Sequence, residues 1–231
     1  RASFVDMSCR ADSSVFVGER ENRGSFVGAS AHGKSIKSAL LLSRQTEGDI
    51  DVVCDTDTVM LCKGWDVVTE DVLKTAGVFG TTFEKIGGFC SGDSKVQMYK
   101  DLPTFTWFAM SKKHDFSRMD TVPRKDLNVK VDSEEKSKLY NLPIGHELLR
   151  DVGWQIPEYL RENAIPYAVL QHEKPTVSAI AVNTGHNYHE EYQLKGVPFL
   201  AHQRGSMKHK FRADMLSKTF YDACDAYLLS V

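Results

Sequence analysis

The feature that most constrains the fold is the run DVVCD at 51–55, which carries β-branched residues with no polar alternation. Such a run is typical of a central strand covered on both faces. Helical spacing of apolar residues precedes it at 35–43 and follows it at 67–75. Because strands alternate with helices, the sequence predicts an α/β fold with a mostly parallel sheet.

The rest of the chain continues this pattern. Helices are predicted at 156–163, where Pro157 suits a first helical turn, and at 212–229, with a strand at 167–170. The segment 111–140 is rich in charged residues and predicts a solvated loop. With 231 residues, 42% of them hydrophobic, the chain is expected to form a single domain over 1–231.

Composition narrows the class of protein. The formal net charge is -2, which does not favour a general binder of nucleic-acid phosphates. The five cysteines form no C-x-x-C pair, so we expect a reducing compartment, the cytoplasm, and a buried thiol at Cys54. No apolar run reaches the ~20 residues of a membrane span, and no signal peptide is recognised. The sequence does not indicate an oligomeric state.

Two aspartates, Asp55 and Asp57, stand at the predicted exit of the buried strand. Ligands of parallel sheets bind beyond the carboxyl ends of strands, and two carboxylates on one turn can share a hard cation such as Mg²⁺ or Mn²⁺. The alternative is a pair of turn aspartates that cap the next element. A second D-x-D, Asp49 and Asp51, lies before the strand, at the wrong end for a ligand site.

Several short segments together resemble the inverting glycosyltransferases of the family-2 type. The resemblance covers about residues 3–93 and comprises NRG at 22–24, AHG at 31–33, VVCDTD at 52–57, GWD at 64–66 and GVFG at 77–80. It implies the GT-A fold, a Rossmann-like α/β/α sandwich with a mostly parallel central sheet. It also implies a nucleotide-sugar-binding half at 1–100 and an acceptor-binding half at 101–231.

Two later blocks, RDVGW at 150–154 and PFLAHQRGS at 198–206, extend the resemblance. They imply that Asp55, Asp57 and His202 hold Mn²⁺ or Mg²⁺. They also imply that Asp151 is the base that deprotonates the acceptor hydroxyl. The nucleotide-sugar contacts implied are Asp6, Asn22, Lys34, Asp55, Thr56, Arg204 and Ser206. The donor is expected to be a UDP-sugar, and the acceptor a glycan, a protein or a modified DNA base.

Acceptor contacts are predicted from residue type alone. Gly87 and Gly88 allow the backbone to pass close to a ligand, although a simple turn explains them equally well. Trp107 and Trp154 have rings that can stack on a sugar, although aromatic residues more often lie in a core.

Two other functions compete with the transferase. Residues 28–35 match G-x-x-x-x-G-K-S, the phosphate loop of NTPases and kinases, in which backbone amides and a lysine hold phosphates. Under that hypothesis Lys34 is essential and Asp151 is dispensable. A non-catalytic module that binds sugar or nucleic acid is the third hypothesis, and it predicts binding without turnover or a metal requirement.

Overall fold

The computed structural model describes residues 24–45, 47–55, 57–82, 95–96, 102–140, 142–173, 188–204 and 210–231. These residues fall into two compact units. Unit 1 comprises the described residues within Arg1–Asp49, Lys85–Met98 and His114–Asn163. Unit 2 comprises those within Ile50–Glu84, Tyr99–Lys113 and Ala164–Val231. Each unit therefore draws on both of the predicted halves, 1–100 and 101–231.

The described helices and strands are numbered in chain order. The helices are α1 (Gly24–Ser43), α2 (Trp65–Leu73), α3 (Glu134–Tyr140), α4 (Ile156–Glu162) and α5 (Lys210–Ser230). The strands are β1 (Ile50–Cys54), β2 (Thr58–Met60), β3 (Val78–Thr81), β4 (Lys95–Val96), β5 (Thr104–Ser111), β6 (Val129–Lys130), β7 (Glu147–Leu148), β8 (Tyr167–Glu173), β9 (Tyr188–Leu194) and β10 (Val197–Arg204). The predicted helices at 67–75, 156–163 and 212–229 and the predicted strand at 167–170 are confirmed.

Unit 2 is built on a seven-stranded mixed sheet in the order β1-β5-β3-β8-β9-β10-β2. Among the described strands of this sheet only β3 and β8 pair in parallel, and all other neighbours are antiparallel. The two edge strands, β1 and β2, are joined by the turn at 55–57. Since so short a turn holds the edges close together, the sheet forms a nearly closed barrel.

The predicted parallel α/β/α sandwich is therefore wrong. The strand at 50–54 does exist, but it lies at an edge of the sheet and pairs with β5 alone among the described strands. Val52 is 38% exposed and Cys54 is exposed, so the predictions of a central strand and of a buried Cys54 thiol are also wrong. The apolar run indicated a strand correctly, but its neighbours depend on distant parts of the chain.

The core of unit 2 explains the burial of one predicted site residue. Trp107 of β5 is 1% exposed, and its ring contacts Phe79 and Phe199 edge to face at centroid distances of 5.2 and 5.3 Å. Leu73 of α2 packs against the same cluster. Because the indole is enclosed by these side chains, Trp107 is a core residue, and its predicted contact with an acceptor is not supported.

Unit 1 contains the phosphate-loop pattern, but as helix. Residues 28–35 lie within α1, so their amides belong to a helical hydrogen-bond ladder and not to a loop. A Cβ at Gly33 would lie 2.5 Å from the Thr121 carbonyl oxygen, and the Thr121 hydroxyl donates to the Gly33 carbonyl. The glycine therefore allows close packing of α1 against the backbone at 121–123. Lys34 is exposed on this helix.

The segment 111–140 is more ordered than a solvated loop. It contains short 3-10 turns at Phe116–Arg118 and Lys125–Leu127, followed by β6 and α3. Phe116 and Met119 are buried within it. Trp154 is 8% exposed, and its indole N–H donates to the Val122 carbonyl, so this ring also belongs to packed structure rather than to an open acceptor surface.

Candidate metal centre

The turn between β1 and β2 is fixed by the backbone on both of its sides. The amide of Asp55 donates to the carbonyl of Thr106 on β5 at 3.0 Å. The carbonyl of Asp57 accepts from the amide of Gln203 on β10 at 2.9 Å. The Thr58 hydroxyl and amide both donate to the Asp55 carbonyl. These bonds fix the backbone from which both carboxylates project, before any ligand is considered.

The strand register brings His202 to this turn. His202 lies on β10 directly opposite Thr58 of β2. Thr58 is the residue that follows Asp57 in the chain. Its Nε2 lies 3.2 Å from Asp57 Oδ1 and 3.7 Å from Asp55 Oδ2. The three side chains that the resemblance implied as metal ligands are thus brought together from distant parts of the chain.

The spacing of the ligand atoms suits a single cation. The three atoms that Asp55, Asp57 and His202 offer all lie within 4.8 Å of one another. Two adjacent ligands of an octahedral Mg²⁺ at about 2.1 Å lie about 3 Å apart. The distance of 3.2 Å from His202 to Asp57 is close to this value, and the distance of 3.7 Å to Asp55 is longer. The His202 side chain is 6% exposed, whereas those of Asp55 and Asp57 are 24% and 23% exposed. The cluster is therefore shielded from solvent on the side of the imidazole and accessible to solvent on the side of the two carboxylates.

The charge on His202 depends on its acidic neighbours. Burial disfavours the imidazolium, but hydrogen bonds to Asp57 and Glu190 and the charges of both outweigh this and raise the pKa of His202 to about 9. Without a metal, His202 is therefore protonated at neutral pH, and its Nε2 proton faces the carboxylates of Asp55 and Asp57. A divalent cation can replace that proton, because metal-bound histidine coordinates through an unprotonated nitrogen.

Glu190 is a part of this cluster that the sequence did not indicate. It lies on β9 directly opposite His202 and is 5% exposed. Its Oε2 lies 2.9 Å from His202 Nδ1 and accepts from the Tyr192 hydroxyl at 2.9 Å, while Oε1 lies 3.7 Å from His172 Nε2. Lys195 and Gly196 form the turn of the β9–β10 hairpin. Such a turn indicates a hairpin in the sequence, but it does not indicate which residues of the two strands pair.

Tyr221 of α5 is a further neighbour of the turn. α5 packs on β10 and β2 through Phe220, Ala223 and Cys224. Burial and the negative charge of Asp57 raise the pKa of the Tyr221 hydroxyl, so this phenol stays neutral near neutral pH. Burial, together with the charges of Asp225 and Glu191, likewise raises the pKa of the Cys224 thiol to about 12. The thiol therefore stays protonated and unreactive.

The other predicted site residues lie elsewhere or outside the described residues. Asp151 and Lys34 lie in unit 1, where Asp151 Oδ1 accepts from the Val152 amide at 2.8 Å. Arg204 ends β10, and its side chain is not described. The predicted residues outside the described ranges are Asp6, Asn22, Thr56, Gly87, Gly88 and Ser206.

Comparisons with protein-family models, with curated proteins and with solved structures found no match for this chain. Within the described ranges, no helix combines the length and the apolar character that crossing a membrane requires.

Proposed function

We propose that this chain is a metal-dependent glycosyltransferase that moves a sugar from a nucleoside diphosphate sugar to an acceptor hydroxyl. The observation that carries the proposal is the convergence of Asp55, Asp57 and His202 at the turn between β1 and β2. The resemblance implied these three residues as a ligand set. The proposal rests on this site alone, since the fold implied by the same resemblance is wrong.

The chemistry of the cluster supports a diphosphate-containing donor. Asp55, Asp57 and His202 would hold the cation, and the carboxylate side of the cluster is open to solvent, where phosphate oxygens could reach it. In the reaction the bond from the anomeric carbon to phosphate breaks as the acceptor oxygen bonds to that carbon. The negative charge that develops on the leaving diphosphate is what a bound cation stabilises.

The acceptor proton requires a base, and the resemblance implied Asp151 for this role. Its carboxylate is half-buried and keeps one oxygen bonded to the Val152 amide. In this proposal that carboxylate would take the proton of the acceptor hydroxyl as the hydroxyl attacks the anomeric carbon. Attack assisted in this way inverts the anomeric carbon.

Calorimetric titration of UDP, GDP, ADP and ATP, each with and without Mn²⁺, tests the proposal. We expect one nucleoside diphosphate to bind only with Mn²⁺, and Asp57→Asn to abolish that binding. Asp49→Asn is the matched control, because Asp49 belongs to the other D-x-D and is exposed. ATP binding that survives Asp57→Asn but is lost in Lys34→Ala would instead favour a phosphate-loop protein. Nucleoside diphosphate binding with no sugar transfer to any glycan, protein or DNA acceptor would favour a binding module.

A further inference from the structure

The imidazole of His202 can serve a cation only in one orientation and one tautomer. Nε2 faces Asp55 and Asp57, so this nitrogen must carry a free lone pair when a cation is bound. The proton of the neutral ring must then reside on Nδ1. Since the ring is 6% exposed, its Nδ1–H needs a buried acceptor.

Glu190 supplies that acceptor. Its Oε2 lies 2.9 Å from Nδ1, and an ionised carboxylate accepts hydrogen bonds without donating any. The Tyr192 hydroxyl donates to the same oxygen at 2.9 Å, which fixes the carboxylate in turn. His172 lies at the other oxygen, 3.7 Å away. Side chains on β8 and β9 therefore hold the Glu190 carboxylate in place, and the carboxylate faces His202 on β10.

A β-bulge in β10 places Glu190 opposite His202. The ladder pairs Leu194 with Val197 and Gln193 with Pro198, and a regular continuation would set His202 opposite His189. A β-bulge between Pro198 and Leu200 shifts the register by one residue, so that Glu190 lies opposite His202. The bulge is fastened by the Phe199 carbonyl, which accepts from the amides of Leu61 and Cys62.

We propose that Glu190 is the positioning residue of the cluster, and that it directs the Nε2 lone pair of His202 toward a cation held by Asp55 and Asp57. This inference rests on the proposed function for the identity of the cluster as a cation site. Carboxylate partners of metal-binding histidines act in this way, and their loss typically lowers metal affinity 10- to 100-fold.

Two conservative variants separate positioning from charge. Glu190→Gln loses the charge but keeps an amide oxygen at the same reach, so Nδ1–H still has an acceptor. Glu190→Asp keeps the charge but withdraws the carboxylate by one methylene, so the hydrogen bond is lost. Positioning predicts that Mn²⁺ affinity falls in the order wild type, Glu190→Gln, Glu190→Asp, with a 10- to 100-fold loss in the last. A purely electrostatic role predicts that Glu190→Gln is the weaker binder.

Glu191 provides the matched control. It is 0% exposed on the same strand but faces the other side of the sheet, where its Oε1 accepts from Gln193 Nε2 at 2.8 Å. Glu191→Gln and Glu191→Asp should therefore leave Mn²⁺ affinity unchanged. Equal Mn²⁺ affinity in the wild type and both Glu190 variants, or weaker binding by Glu190→Gln than by Glu190→Asp, overturns the proposal.

Nitrogen-15 NMR of the His202 side chain in the cation-free protein tests Glu190 independently of metal binding. Spectra recorded at pH 6 should show the Nδ1 proton of the wild type shifted downfield by its hydrogen bond to the Glu190 carboxylate. In Glu190→Asp that proton should move upfield, because the shorter carboxylate no longer reaches Nδ1. An unchanged shift of the Nδ1 proton in Glu190→Asp overturns the role of Glu190. A wild type that has the downfield Nδ1 proton but binds no Mn²⁺ overturns the proposed function and leaves the orientation by Glu190 standing.

Discussion

His202 Nε2 and Asp57 Oδ1 lie 3.2 Å apart, although one residue belongs to β10 and the other to the turn after β1. The contact joins a buried base to a partly exposed acid. In the cation-free protein it is a charge-assisted hydrogen bond, and its donor is the proton on Nε2. A bound cation and this proton compete for the same nitrogen. Two properties of the protein, its stability and its metal affinity, should therefore depend on pH through the same ring.

The first prediction concerns the stability of the cation-free protein. The pKa of His202 is raised from 6.5 to about 9, so the protonated ring contributes stability in full below pH 6.5. That contribution is lost as pH rises from 6.5 through 9, and it amounts to roughly 3 kcal/mol. Urea unfolding at pH 6, 7.5 and 9 should show this decline in the wild type and a smaller one in His202→Gln. Parallel pH profiles for the two proteins would contradict the prediction.

The second prediction is that Mn²⁺ stabilises the fold. The Asp55 and Asp57 turn joins the two edges of the sheet, and His202 lies on the strand beside β2. A cation bound only by the folded protein at 100 times its Kd adds about 2.7 kcal/mol. Thermal unfolding should therefore shift to higher temperature with added Mn²⁺. The shift should disappear in Asp57→Asn and persist in Asp49→Asn; a shift that persists in Asp57→Asn would place the cation elsewhere.

Local patterns in the sequence were sufficient for several elements. The helices at 65–73 and 156–162 follow apolar spacing and, in the second, a proline in the first turn. Strand existence at 50–54 followed from β-branched residues. The order of strands did not follow, because pairing depends on contacts between segments far apart in sequence. The assumption that alternating helices and strands form parallel crossovers failed for the same reason.

The candidate site shows the same limit at the scale of single residues. Asp55 and Asp57 were recognisable from their place after a strand, and His202 was included because of a resemblance. Glu190 was missed because its position opposite His202 depends on the bulge at Pro198 and Leu200. Proline lacks an amide donor and is common at such irregularities. A proline in the sequence, however, does not indicate in which direction the strand register shifts.

A third prediction separates packing from phosphate binding in α1. Gly33→Ala should destabilise the protein by about 1–3 kcal/mol, because the new methyl group meets the Thr121 carbonyl oxygen at 2.5 Å. Alanine in a helix otherwise gains up to ~1 kcal/mol over glycine, so the sign of the change is informative. Lys34→Ala, at the exposed neighbouring position, should leave stability unchanged, so a loss of nucleotide binding in that variant would report a phosphate contact and not a loss of folding. Urea unfolding and calorimetry measure both; a stabilised Gly33→Ala would mean that the helix can move away from Thr121.

The fourth prediction separates catalysis from binding at Asp151. If this carboxylate deprotonates the acceptor, Asp151→Asn removes the base while the amide oxygen can still accept from the Val152 N–H. We expect the rate of sugar transfer to fall 10²- to 10⁴-fold, with Mn²⁺ and nucleoside diphosphate affinities unchanged. Asp126→Asn is the control within unit 1, since Asp126 is exposed and pairs with Arg124. Single-turnover transfer in Asp151→Asn at the wild-type rate would remove Asp151 from the mechanism. A loss of Mn²⁺ affinity in that variant would mean that the substitution acts on binding, so that the fall in rate does not measure a base.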